Sequence, residues 1–221
     1  MKIAEGIHKV DGVNCNVYLV EDGKELILID TGLPRSANKI VKYIRSIGRK
    51  PTDISTIVLT HFHIDHVGSV KNLKKISNAK VTVGEFDADI VAGKKAAPKP
   101  KNLMFRALSS VIKTSPIEPE LLLKDNDKVG RLSVIYTPGH SEGSISLFDA
   151  ERKVMFVGDA IRFMDDKLTG PPEQFTLDMN KAKDSIGKIS TFDFDIMLSG
   201  HGQPLMSEAS QKVKEFYLNL K

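Results

Sequence analysis

The stretch DISTIVLTHFHIDHVGSVKNL, residues 53–73, changes character twice. Residues 54–60 (ISTIVLT) form a strand-length run rich in β-branched residues. His61-Phe62-His63-Ile64-Asp65-His66 follows at once, and residues 65–76 then read as a helix. Asp65 opens that helix, where a carboxylate suits the positive end of the dipole. In extended chain, residues two apart point the same way, so His61 and His63 can converge on one ion. Asp65 and His66, at the start of the helix, can turn toward a second. Neutral imidazole and carboxylate oxygen both bind zinc or iron, at about 2.0–2.2 Å.

The pattern of a strand delivering a histidine or aspartate recurs. ELILID (25–30) runs into Thr31-Gly32, and RLSVIYT (131–137) into Pro138-Gly139-His140. KVMFVG (153–158) runs into Asp159, and FDIMLSG (194–200) into His201. Helical patterns lie between, at 34–47, with Ile40, Val41, Ile44 and Ile47 on one side, and at 178–189 and 207–220. Asp178 and Ser207 are the expected N-caps of the last two. Alternating strands and helices predict an α/β fold of helix-covered sheets, with a site beyond the strand C-termini. Read alone, His140 is a histidine in a tight turn and Asp159 could equally cap the next segment. Together with His61, His63, Asp65, His66 and His201 they make a far stronger case for a metal site than any does alone. His8 falls outside the pattern and reads as structural or exposed, and Cys15 as a core or surface residue.

Composition narrows the classes. The 221 residues, 41% hydrophobic and 27% charged, suit one domain spanning 1–221. The proline-rich segment 93–120 reads as an insertion or a linker. Its apolar part, 102–113, reads as a helix by the site, a dimer contact or core. One cysteine rules out an intrachain disulfide and any multi-cysteine metal site. No apolar run reaches the roughly 20 residues needed to cross a bilayer, and the first residues lack a secretory apolar stretch. The expectation is therefore a cytoplasmic protein without membrane contact. The net charge of +4 comes from 25 lysines but only 7 arginines, spread along the chain. That disfavours nucleic acid, which calls for bidentate arginine, and reads as a solvated surface that mildly favours anionic substrates; the expected partner is a small-molecule substrate. A homodimer is left open.

His61-x-His63-x-Asp65-His66, then Thr-Pro-Gly-His140, then Gly158-Asp159, then Gly200-His201, resembles the metallo-β-lactamase superfamily in order and spacing. Asp30-Thr31-Gly32 matches that family's early aspartate turn. The resemblance implies an αββα sandwich of two mixed β-sheets flanked by helices. It also implies two divalent metal ions, zinc first and iron or manganese as alternatives. His61, His63 and His140 would hold one ion; Asp65, His66 and His201 would hold the other; Asp159 would bridge them. Asp65 would also serve as the catalytic carboxylate, and Asp30 as a group behind the ligands or a structural one. Such ions would lower the pKa of bound water to about 7, so a hydroxide could attack without a serine or cysteine nucleophile.

Within the superfamily the chain looks most like the glyoxalase II-like branch, with an aspartate at the bridging position. It departs from that branch in having only a short stretch after His201, where glyoxalase II carries a helical extension for glutathione. It departs from the acyl-homoserine-lactone lactonases in carrying Arg162 where they place a tyrosine. The expected reaction is hydrolysis of an ester, thioester or lactone of a small acid. The alternatives are a mononuclear iron persulfide dioxygenase and a phosphodiesterase or nuclease. Arg162 and Phe163 are the candidate substrate contacts, Arg162 reading equally well as a surface ion pair.

Overall fold

The computed structural model describes residues 1–99 and 115–220. The helix expected over 102–113 lies outside them. The chain divides into two compact units, one holding everything up to Ala97 and the stretch ending at Leu123, the other running on from Lys124.

In the first unit, β1 (Lys2–Ala4), β2 (Ile7–Val10), β3 (Val17–Asp22) and β4 (Glu25–Ile29) pair antiparallel. β5 (Ile54–Leu59), β6 (Lys80–Gly84) and β7 (Leu121–Leu123) continue the sheet in parallel. Parallel neighbours need crossovers, which is why helices are confined to this half. α1 (Ala37–Ser46) links β4 to β5, while α2 (Ile64–Val67) and α3 (Val70–Ser77) link β5 to β6, with α4 (Ala88–Val91) beyond. Ile40 and Ile44 of α1 and Leu73 of α3 pack in one core with Leu26, Leu28, Ile57, Leu59, Val81 and Val83. The alternate residues Ile27, Ile29 and Val58 are buried too. Burial on both faces explains why β4 and β5 read as unbroken apolar runs rather than alternating ones.

The helix expected over 65–76 is broken in two. At Gly68 a Cβ would sit 2.4 Å from the ring and nitrogen of Pro34, so the Leu33–Ser36 loop occupies the space where a side chain would stand. Ser69 closes the break, its hydroxyl donating to the Leu33 carbonyl (2.7 Å) and accepting from the Ser36 amide (2.8 Å). Tertiary contact here overrides helical periodicity.

The second unit holds β8 (Lys128–Val129), β9 (Leu132–Tyr136), β10 (Ile145–Asp149), β11 (Val154–Gly158), the hairpin β12 (Arg162–Met164) and β13 (Lys167–Thr169), α5 (Met179–Ile189), β14 (Ile196–Ser199) and α6 (Ala209–Leu218). Its five-stranded sheet runs β14-β11-β10-β9-β8, with only β11 and β14 parallel. Ile186 and Ile189 of α5 and Val213 of α6 pack with Met155, Val157 and Met197. Both units thus pair a mixed sheet with helices, as expected for the α/β class. Among the described residues, no helix is long and apolar enough to cross a membrane.

The two expected caps come out differently. Asp178 caps α5, its Oδ1 accepting from the amides of Asn180 (2.9 Å) and Lys181 (3.0 Å). Ser207 does not cap α6. The helix begins at Ala209 after Glu208, which has a left-handed backbone (φ 53°). The amides of Ala209 and Ser210 instead donate to the carbonyls of Asp195 (3.3 Å) and Phe194 (3.0 Å), so the preceding loop does the work of a cap. Replacing Asp178 with alanine should cost about 1 kcal/mol of stability. Urea denaturation checks this, and an unchanged midpoint would show that the cap contributes nothing.

Candidate metal centre

In the first unit the site grows from Asp30, one residue past β4. Its amide donates to the Val58 carbonyl (2.9 Å), extending the β4–β5 pairing, and its backbone is left-handed (φ 61°), which aspartate tolerates better than most residues. The buried carboxylate accepts from the Thr60 amide at Oδ1 (2.8 Å). Its Oδ2 accepts from the Thr60 hydroxyl (2.8 Å) and from His66 Nδ1 (2.8 Å).

These bonds fix two imidazoles. Thr60 has one hydroxyl proton and gives it to Asp30, so the 3.0 Å contact between Thr60 Oγ1 and His61 Nδ1 has the imidazole as donor. Both His61 and His66 therefore carry their proton on Nδ1 and offer the Nε2 lone pair. The backbone is held as well. The Thr31 amide and hydroxyl both donate to the His66 carbonyl (2.7 Å each), and the Phe62 amide donates to buried Asp87 (3.0 Å). The ring of His61 lies 4.7 Å from that of His63 and 4.0 Å from that of His66, centre to centre. His66 Nε2 is 3.8 Å from Asp65 Oδ2. This unit brings together His61, His63, Asp65 and His66.

The second unit repeats the device on a different backbone. His140 follows the turn after β9, where Gly139 has φ 130° and a Cβ would fall 2.2 Å from the Ala182 nitrogen. Only glycine lets this turn lie against the first turn of α5. Thr176 gives its hydroxyl proton to the Pro172 carbonyl (2.8 Å), so His140 Nδ1 donates to Thr176 Oγ1 (3.2 Å), again leaving the lone pair on Nε2. Asp159 follows β11 and His201 follows β14, and the Gly200 amide donates to the Gly158 carbonyl (2.7 Å), tying the two strand ends together.

Asp159 Oδ2 lies 3.5 Å from His140 Nε2 and 3.6 Å from His201 Nε2. Both separations are long for a hydrogen bond. They are close to the roughly 3.4 Å that separates two donors sharing one tetrahedral ion at about 2.1 Å. The donor chemistry and spacing of this unit fit a divalent cation on each side of one carboxylate oxygen. Arg162 directs Nη2 to the same oxygen at 2.7 Å. The Phe163 carbonyl accepts from the Gln203 amide (2.7 Å), and the Phe163 ring is partly buried against the core of the unit.

The profile of the metallo-beta-lactamase superfamily matches residues 10–201. The chain belongs to this superfamily. It is 30% identical to a probable metallo-hydrolase of Bacillus subtilis, YflN, over 91% of this chain and 86% of that one. It is 28% identical to the acyl-coenzyme A thioesterase MBLAC2 of Gallus gallus over 68% of this chain, but spans only 58% of that protein. Among solved structures, a class B3 di-zinc metallo-beta-lactamase from an Alaskan soil metagenome aligns over 100% of this chain and 90% of that one, at 21% identity and a TM-score of 0.75. The fold is the same.

Sequence reasoning missed Thr60, Thr176 and Asp87. Thr60 stood in view as a strand terminator next to His61, whereas nothing in its surroundings marks Thr176. His8, set aside, is 7% exposed and held between Glu21 Oε1 (3.1 Å) and Tyr43 (3.3 Å). Cys15 is buried. Changing Asp30 to asparagine should set amide protons against the donors of Thr60 or His66. The expected result is loss of the Nδ1–H tautomer at His66, read from ring nitrogen–proton correlation spectra, with a stability loss of about 2 kcal/mol. An unchanged His66 spectrum would overturn this account of Asp30.

Proposed function

We propose that the chain is a dinuclear metal-dependent hydrolase of acyl thioesters and related esters or lactones of small acids, in the glyoxalase II-like manner. His61, His63 and His140 would hold one ion, Asp65, His66 and His201 the other, and Asp159 would bridge them. The observation that carries the reading is the place of Asp159 Oδ2, 3.5 and 3.6 Å from two imidazole nitrogens. Superfamily membership and the di-zinc centre named for the soil enzyme support it. The thioesterase activity named for the avian relative supports the substrate class.

Two divalent ions, zinc before iron or manganese, would supply an activated water and a Lewis acid for the carbonyl. The chain's own residues prepare for them. Asp30 and Thr60 hold His61 and His66 with lone pairs forward, and Thr176 does the same for His140. The Asp65 side chain is 29% exposed, against 0% for His66, so it is open enough to serve both as ligand and as the catalytic carboxylate that accepts a proton. Cys15, at 1% exposed, is no nucleophile in this scheme.

Protein purified without chelator should carry about two zinc ions by elemental analysis and turn over acyl thioesters in a panel that includes lactones, phosphodiesters and β-lactams. His63→Ala should abolish turnover while leaving the circular dichroism spectrum unchanged. Activity surviving that change removes the mechanism. A single iron with oxygen uptake would make the chain a dioxygenase, and phosphodiesters turned over faster than every carbonyl compound would end the acyl reading.

A further inference from the structure

Arg162 is the first residue of β12, three positions after Asp159, and the pair is nearly buried, with 18% and 3% of the side chains exposed. One nitrogen, Nη2, reaches Asp159 Oδ2 at 2.7 Å, while Nε is buried with no hydrogen-bond partner among the described residues. A buried guanidinium nitrogen without an acceptor is costly, so the contact to Asp159 is what offsets burying the charge.

The strand carrying Arg162 is clamped. Arg162 pairs with Thr169 across the hairpin, and Phe163 pairs with Gly202 next to His201. At Gly202 (φ 96°) a Cβ would come within 2.3 Å of the Phe163 carbonyl oxygen, so that approach depends on glycine. The positive charge is thereby fixed at the oxygen that lies between His140 Nε2 and His201 Nε2.

We propose that Arg162 acts as a built-in competing cation: its guanidinium shares Asp159 Oδ2 with bound divalent ions and weakens the hold of that carboxylate on them. The inference rests on the reading of Asp159 as a metal ligand. Two effects of opposite sign are in play. By holding the carboxylate in place the arginine could favour binding, and by its charge it opposes binding. Asp159 stands directly after β11, whose end is tied to that of β14 by the Gly200–Gly158 hydrogen bond (2.7 Å), so its backbone is held without Arg162. A guanidinium cannot shed its proton, its charge meets a double charge on the ion, and low surrounding polarity strengthens the repulsion. Repulsion therefore wins, and the ion is held exchangeably rather than locked.

The test is titration of the metal-free full chain with zinc and, separately, cobalt against a competing chelator. Arg162→Met and Arg162→Gln both remove the charge, the second keeping a hydrogen-bond donor should the first fold poorly. Each should tighten the weaker of the binding steps by at least about tenfold, equivalent to 1.4 kcal/mol. Arg162→Lys keeps a cation on a more flexible stem and should tighten binding less than either uncharged variant. If the uncharged variants bind no more tightly than the parent, or more weakly, Arg162 is not a competing cation. If the parent itself binds no metal, the metal-centre reading fails first, and this inference with it.

Discussion

A carboxylate without a proton can only accept hydrogen bonds, and at Asp30 that restriction decides the state of four other groups. Its two oxygens take the Thr60 amide, the Thr60 hydroxyl and His66 Nδ1. Because Thr60 has spent its one proton, it can only accept from His61. One buried negative charge thus sets the tautomers of two histidines, one of them through a neighbour. The same charge sits at the end of β4, and its amide continues the ladder to β5. Strand pairing and imidazole chemistry in this unit share one residue.

The second unit reaches the same result without an aspartate behind its histidine. There a carbonyl, that of Pro172, is the terminal acceptor, and Thr176 passes the requirement on to His140. A neutral acceptor suffices because only one ring is being oriented, whereas Asp30 must satisfy three donors. Threonine serves both places because a hydroxyl with one proton and two lone pairs is a directional relay: once its donor is committed, its acceptor role is forced.

Sequence made the chemistry more legible than the scaffolding. His61, His63, His140, Asp159 and His201 stood out because each follows a strand whose apolar run stops abruptly, and those strands are found within a residue or two of where the runs predict. Their helices were less readable. The run from Asp65 to Ile76 keeps helical periodicity through Gly68, and nothing local says that Pro34, more than thirty positions earlier in the chain, will occupy the gap. Ser207 looks like a cap, yet the amides of α6 find carbonyls at Phe194 and Asp195 instead. β1, β7, β8, β12 and β13 span only two or three residues each, too few to show a period of two. Arg162 was ambiguous for a related reason: its partner three residues away is visible in sequence, but whether the fold buries the pair is not.

Burying so many polar groups at strand ends would be untenable in a loose scaffold. Asp30, His61, His66, His140 and Asp159 are all at most 5% exposed. Each would lose about 1–3 kcal/mol if left without its partners. The strands that precede them are correspondingly rich in apolar side chains: every residue of β11 is buried, as are the last four of β4. At about 1.5–3 kcal/mol for each buried valine, leucine or isoleucine side chain, such strands supply the stability that the polar ends consume. The division of labour also explains the placement of the ligands. A histidine inside the strand would interrupt the apolar run that holds it, and one farther along the loop would lose the fixed backbone that aims it. The first positions past the strand's end are where rigidity and polarity can coexist, and there His61, His140, Asp159 and His201 stand.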